Sequence, residues 1–330
     1  MLPLHHKLYW KAKNAYQANV KYRNVKGHGL LEHREDINDW KATELLGGLW
    51  DKPKPKYADL FNANDWQFNQ SGLNICVFAS STMAWSFQEG KRFSVRAGLI
   101  QGVLNGDVSG NGFSSLRGGM KVLTGTGALP IEYLDDTVTD WNTYKQNVLT
   151  PEMRSVMSQY KSPGYYRVTT VEEAVQLIER GHCLLTAIKW KSAMNNPAMP
   201  EFYLISSGYD IGGHAIYIQG YRASGEDVRD WYNRQTFGAY YGVNGTAWLQ
   251  SLFASGFPVY VLEKNPNRTD EQRIKGRLEG MNVKGSKNAI YRIENGVKRG
   301  YVNMQVFGKQ HFYSVSDETL EVFPEGDLIQ

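Results

Sequence analysis

Cys76 stands in the stretch FNQSGLNICVFASST, residues 68 to 82, at the head of an apolar run and six positions after Gln70. A cysteine at the start of a helix can carry thiolate character, because the helix N-terminus and a neighbouring imidazole both stabilise negative charge. The chemistry this suggests is attack on a carbonyl carbon, which needs a proton acceptor beside the thiol and an amide donor for the developing oxyanion. His214 in GGHAIYIQGY is the candidate acceptor, since two glycines precede it and an apolar strand pattern follows. Gln70 is the candidate oxyanion donor. The plainer alternative is that Cys76 is a small core residue, as free cysteines often are. Cys183, inside the apolar CLLTAIKW, is read as core filler. His5 and His6 lack further ligands at useful spacing, so no metal site is expected, and this chemistry needs no organic cofactor.

These residues must be positioned by different elements. CVFASSTMAWSFQ, residues 76 to 88, is apolar nearly all round and predicts a buried central helix. In SSLRGGMKVLTGTGALP, Leu116, Met120 and Leu123 recur at helical spacing before glycines and Pro130. Thr170 and Glu173 form a capping-box pattern before VEEAVQLIER, with Gly181 as the stop. Strand patterns then follow at 183–190, 214–221 and 258–264. A helical half precedes a β half, which is an α+β arrangement with Cys76 in one half and His214 in the other.

DKPKPKYADL at 51–60 is broken twice by proline and reads as an entry segment, and the polar KNPNRTDEQR at 264–273 reads as a connection. The expected organisation is an N-terminal extension over 1–55, a main domain over 56–263, and a small β-rich C-terminal module over 264–330. That module alternates apolar and polar residues around Asn295-Gly296, a hairpin signal.

Among 330 residues the net charge is only +4, so a nucleic-acid partner is not expected. Lys7, Lys11, Lys13, Lys21, Arg23 and Lys26 precede the first acidic residue, Glu32, and form a basic leader read chiefly as a solvated segment. Two cysteines are too few for a disulfide framework. No window reaches the ~18 apolar residues of a membrane span, and the first residues contain no signal-peptide run. The expected setting is cytoplasmic or virion-associated.

Gln70 six residues before Cys76, together with Gly213, His214, Ala215 and Ile216, resembles the papain-like cysteine peptidases, in members of the bacterial and phage type. FSSLRGGMKVLTGTGALPIEYL and YYRVTTVEEAVQLIERGHCLLTAI are similar to the family's segments between the two motifs. The resemblance implies a two-lobed fold, with a helical lobe whose central helix starts at the cysteine and a β-barrel-like lobe that bears the histidine. It implies a peptidase acting on protein or peptide substrates through a Cys76 and His214 pair. Gly238, Gly242 and Gly245 keep the family's glycine spacing and place Gln235 where the family carries an orienting Asn, with Asn233 as the alternative. By the same resemblance, Asn111, Gly112, Phe113 and Gly213 contact an extended substrate. Asn74, Ile75 and Val77 depart from the family's residues around the nucleophile. The C-terminal piece is similar to a short module of secreted bacterial and phage proteins, read either as an attachment to a protein or surface partner or as a packing cover. Two other functions stay open: an amidase for peptidoglycan crosslinks, and a non-catalytic structural or injected phage particle protein.

Overall fold

The computed structural model describes residues 40–46, 58–59, 68–70, 72–191, 210–224, 227–234, 241–245, 247–308, 310, 312–315 and 317–330. Helix α1 (Ala42–Leu46) and the short strand β1 (Ala58–Asp59) come first. The helical part follows with α2 (Cys76–Glu89), α3 (Val95–Leu104), α4 (Leu116–Gly125), α5 (Trp141–Tyr144) and α6 (Pro151–Gln159). All 14 residues of α2 are buried, as a helix without a wet face requires. It stops at Gly90, whose φ of 63° is the left-handed conformation that ends many helices. Neighbouring helices approach α2 closely through glycine: a Cβ on Gly119 of α4 would stand 2.6 Å from Ser81 Oγ. The hydroxyls of Ser94 and Ser115 accept from Ala97 N and Gly118 N and so cap α3 and α4.

The β part comprises β2 (Tyr165–Val168), α7 (Val171–Glu179), β3 (Leu184–Lys191), β4 (Asp210–Ser224), β5 (Asp227–Arg234), β6 (Tyr241–Gly245), α8 (Ala247–Ala254) and β7 (Val259–Leu262). Thr170 and Glu173 form the predicted capping box of α7. The strands pair antiparallel in the order β2-β7-β3-β4-β5-β6, with β1 added on β4. Among the described residues β2 and β6 do not pair, so the sheet of this β lobe is open and not a closed barrel.

Alternation along β3 and β4 divides the core. Leu185, Ala187, Ala215 and Tyr217 pack with α2 and its neighbours, while Leu184, Ile188, Ile216 and Ile218 pack with residues of α7 and α8. The first face brings the sheet against the cysteine-bearing helix.

A second sheet lies in the C-terminal part. It follows α9 (Asp270–Leu278) and contains β8 (Asn282–Lys284), β9 (Ile290–Glu294), β10 (Val297–Gly300) and, after the short helix α10 (Met304–Phe307), β11 (Tyr313–Ser314), in the order β10-β9-β8-β11; helix α11 (Asp317–Glu321) comes after it. Asn295 and Gly296 both have positive φ, 54° and 73°, as the predicted two-residue hairpin turn demands. Leu278, Met281, Val283, Ile293, Leu320 and Phe323 form a small core here.

The stretch 264–273 is more than the connection its polarity suggests. Thr269 and Gln272 form a capping box for α9, and α9 lies on the C-terminal end of α2, where a Cβ on Gly276 would collide with the Gly90 carbonyl. The fully buried Glu89 accepts from Asn265 N at 3.0 Å and pairs with Arg273 Nε at 3.2 Å. Arg277 Nη1 donates to Phe87 O and Gln88 O at 3.4 and 3.3 Å, which places positive charge at the negative end of α2. Burial pushes the Glu89 carboxyl upward, against the pull of the Arg273 guanidinium. The segment looks polar because its contacts with the core are made by charge.

Candidate active site

Cys76 is the first residue of α2, and its cap residue Ile75 offers no side-chain hydrogen bond. The thiol is buried, and its Sγ accepts the backbone N–H of Ala215 at 3.5 Å. One turn further along α2, Ser80 Oγ donates to the Ala215 carbonyl at 2.8 Å. Cys76 and Ser80, at i and i+4 on one face of α2, therefore hold both polar groups of one residue of β4. That residue directly follows His214.

His214 is buried and paired across the sheet with Ile188. The edge-on Trp190 ring of β3 lies 4.8 Å from the imidazole, with 73° between the planes. Gly213 pairs with Lys189 and Gly212 with Trp190, so bare backbone precedes the histidine on β4.

Gln70 is buried in a tight loop that leads into α2. Leu73 N donates to Gln70 O at 2.8 Å and Gln70 Nε2 donates to Leu73 O at 2.6 Å. A second tie joins the chain ahead of the cysteine to the loop at 109–113, where Asn74 Nδ2 donates to Asn111 O at 2.9 Å. Gly112 has φ of 92°, and a Cβ there would meet Asn74 O at 3.0 Å and Trp141 at 3.2 Å. Internal bonds already occupy part of this loop: Gly112 N donates to Ser109 O at 2.9 Å and Ser109 N to Phe113 O at 2.8 Å.

Gln235 lies outside the described residues. Asn233 belongs to β5 and pairs with Ile218 of β4 and Gly242 of β6. Ile218 is four residues along β4 from His214, about 13 Å at strand rise.

The architecture has close counterparts among solved structures. Xylellain, a cysteine protease from Xylella fastidiosa, superposes with a TM-score of 0.55 at 18% identity, over 74% of this chain and 98% of that one. ProCathepsin B S9 from Trypanosoma congolense gives 0.54 at 11% identity over 79% and 89% of the two chains. A digestive procathepsin L2 proteinase from Tenebrio molitor larval midgut gives 0.53 at 15% identity over 78% and 91%.

The fold is papain-like.

At these identities the likeness is one of fold, and no family model and no curated sequence matches the chain. Within the papain-like arrangement, α2 through α6 form the helical lobe and the seven-stranded sheet forms the other. The Cys76, Ser80 and Ala215 contacts lie where the lobes meet.

The consecutive residues His182 and Cys183 sit near the far end of α2, about 20 Å from Cys76 by helix rise. Cys183 N donates to Gln88 Oε1 at 3.1 Å, and His182 Nδ1 lies 3.0 Å from Leu262 O. Burial pushes the His182 pKa down to about 3, which keeps its ring neutral at ordinary pH. Among the described residues no cluster of three His, Cys, Asp or Glu could hold a metal, and no helix is long and apolar enough to cross a membrane.

Sequence reasoning passed over Ser80 and Trp190. Ser80 left a readable sign, a hydroxyl one turn after the cysteine in an apolar helix. Trp190 left none, because its place opposite Gly212 depends on the β3–β4 register.

Proposed function

We propose that this protein is a cysteine peptidase in which Cys76 is the nucleophile and His214 its proton acceptor. The observation that carries this reading is the double hold of α2 on Ala215, which fixes the residue after His214 against the cysteine sulfur. His214 takes the thiol proton, and the thiolate adds to the peptide carbonyl carbon. The oxyanion is held by the Cys76 backbone N–H and by Gln70 Nε2, which carries two N–H groups and gives one to Leu73 O. The imidazolium then protonates the leaving amine and the C–N bond breaks, leaving a thioester. Water, deprotonated by His214, attacks that thioester and releases the acid and the free thiol. The substrate chain lies extended between the 111–113 loop and Gly213, and the C-terminal piece acts chiefly as a brace on α2.

Incubation of the purified chain with casein, and separately with peptidoglycan, before and after iodoacetamide treatment tests this reading. Casein cleavage that is lost as the label appears on Cys76 is the expected result. Crosslink cleavage alone would move the same chemistry to another amide, and no cleavage of either polymer would leave a papain-like fold without this activity.

Gln235 is the residue proposed to orient His214. Gln235→Ala should lower kcat/KM on a fluorogenic peptide at least about tenfold, which corresponds to ~1.4 kcal/mol of transition-state stabilisation. Asn233→Ala should change it little, since its place on β5 is four rows from the histidine. The reverse pattern would reassign the role.

A further inference from the structure

Helix α2 carries three buried serines, and two of them use their hydroxyls as helical serines usually do. Ser81 Oγ donates to Phe78 O at 3.3 Å and Ser86 Oγ to Thr82 O at 2.8 Å, both inside α2. Ser80 instead donates out of the helix, to Ala215 O at 2.8 Å. The same residue of β4 gives its N–H to Cys76 Sγ at 3.5 Å. That N–H and that carbonyl belong to successive peptide planes, so α2 holds the strand on both sides of one Cα. Cys76, Ser80 and Ala215 have no exposed surface, which protects both bonds from competing water. On the sheet, β3 flanks Ala215 through Ala187, whereas among the described residues β5 meets β4 only from Tyr217 onward.

We propose that the Ala215 backbone N–H is a standing hydrogen-bond donor to the Cys76 thiolate, and that Ser80 is the positioning residue that keeps it on the sulfur. A donor aimed at sulfur favours the charged form over the thiol. The proposal rests on the peptidase reading for its place in a reaction, where the contact acts twice. It favours ionisation before attack, and it favours sulfur as the leaving group when water opens the thioester. The ionisation itself can be read without turnover.

A change at Ser80 leaves the surrounding charges in place. His214 is the titratable residue next to Ala215, and Asp210 at the start of β4 is ion-paired with Lys189 and Lys191 of β3. The opening of α2 from Ile75 to Val77 and the loop from Ser109 to Phe113 carry no charge. On the helices beside α2, Lys121 of α4 pairs with Asp107, Arg117 is half-buried, and Arg96 of α3 donates to Thr143 O and Tyr144 O.

The first measurement is the pH dependence of Cys76 alkylation by iodoacetamide, read by mass spectrometry so that Cys183 is scored apart. Ser80→Ala should move the midpoint upward by roughly half to one pH unit, the size of one net hydrogen bond, and so slow alkylation about three- to tenfold below the midpoint. Ser81→Ala removes a buried hydroxyl one position along the same helix and should leave the midpoint where it is, whatever its effect on thermal unfolding. The second measurement follows the Ala215 amide proton by NMR in protein carrying isotope-labelled alanine. In the native protein that signal should shift through the Cys76 midpoint, and the shift should be smaller in Ser80→Ala. A midpoint that Ser80→Ala moves no further than Ser81→Ala does overturns the role of Ser80. A native Ala215 amide that ignores the ionisation of the thiol overturns the donor and assigns any midpoint shift to His214. Should Ser80→Ala not fold, Ser80→Cys, a weaker donor of similar size, is read by the same amide titration. An upward midpoint shift in a chain that cuts no peptide supports the contact while the peptidase reading fails. Casein cleavage with an unmoved midpoint does the reverse.

Discussion

Cys76→Ala should give a folded protein that cuts no peptide, with kcat/KM reduced at least about 10³-fold. Removing the nucleophile of a Cys–His pair eliminates the covalent route, and only the residual effect of binding and oxyanion donors remains. The folded state should survive, because Ala is accommodated in a helix and the lost group is one sulfur atom. The cost arises at Ala215, whose buried N–H loses its acceptor, a penalty of about 1–3 kcal/mol. Thermal unfolding beside the kinetics separates the two effects. Cys76→Ser supplies the control, since it restores an acceptor for Ala215 N without restoring a thiol. Cys183→Ala should retain cleavage, because Cys183 is buried just before β3 and its backbone contacts Gln88. Activity of Cys76→Ala within tenfold of the native rate would place the chemistry elsewhere.

Arg273→Met should lower folding stability by about 3–5 kcal/mol at pH 8, the usual cost of removing one partner of a buried ion pair. Glu89 has no exposed surface, and Arg273 is almost as deeply buried while also donating to Asn265 O at 2.6 Å. Burial already raises the Glu89 carboxyl pKa, and loss of the guanidinium opposing that shift raises it further. A group whose folded pKa lies above its unfolded value, about 4.3 for Glu, adds stability at pH below that value and loses it as pH rises through the folded pKa. The deficit of Arg273→Met is therefore largest at pH 8 and shrinks toward pH 5, as urea unfolding at the two pH values would show. Adding Glu89→Gln should recover part of the loss at pH 8, since the pair then lacks its stranded charge. For the same reason a chain ending at Lys264 should fail to fold stably. Equal losses at both pH values would mean that Arg273 acts only through packing.

The parts of this structure that could be read in the sequence are those fixed by near neighbours. The α2 helix shows because its residues are apolar all round, the start of α7 because Thr170 and Glu173 cap it three positions apart, and the β9–β10 turn because Asn295-Gly296 suits two positive φ angles. What could not be read depends on partners far along the chain. The polarity of 264–273 conceals a docked helix, since Glu89, which gives its arginines their purpose, lies 184 residues before Arg273. The strand order β2-β7-β3-β4-β5-β6 was likewise hidden, because strand patterns give pairing faces but not the pairings themselves. Gln70, Cys76 and His214 could be picked out by residue type and surroundings, but the contact of Cys76 with Ala215 depends on a register between α2 and β4 that no local pattern encodes.

The Ala215 contacts span 139 residues to Cys76 and 135 to Ser80. Closing such long loops is entropically slow, and contacts of this range form late in folding. On the ribosome, which adds about 5–20 residues per second, the thiol emerges many seconds before the strand that must meet it. For that interval the growing chain carries Cys76 without the strand contact that meets its sulfur in the finished fold.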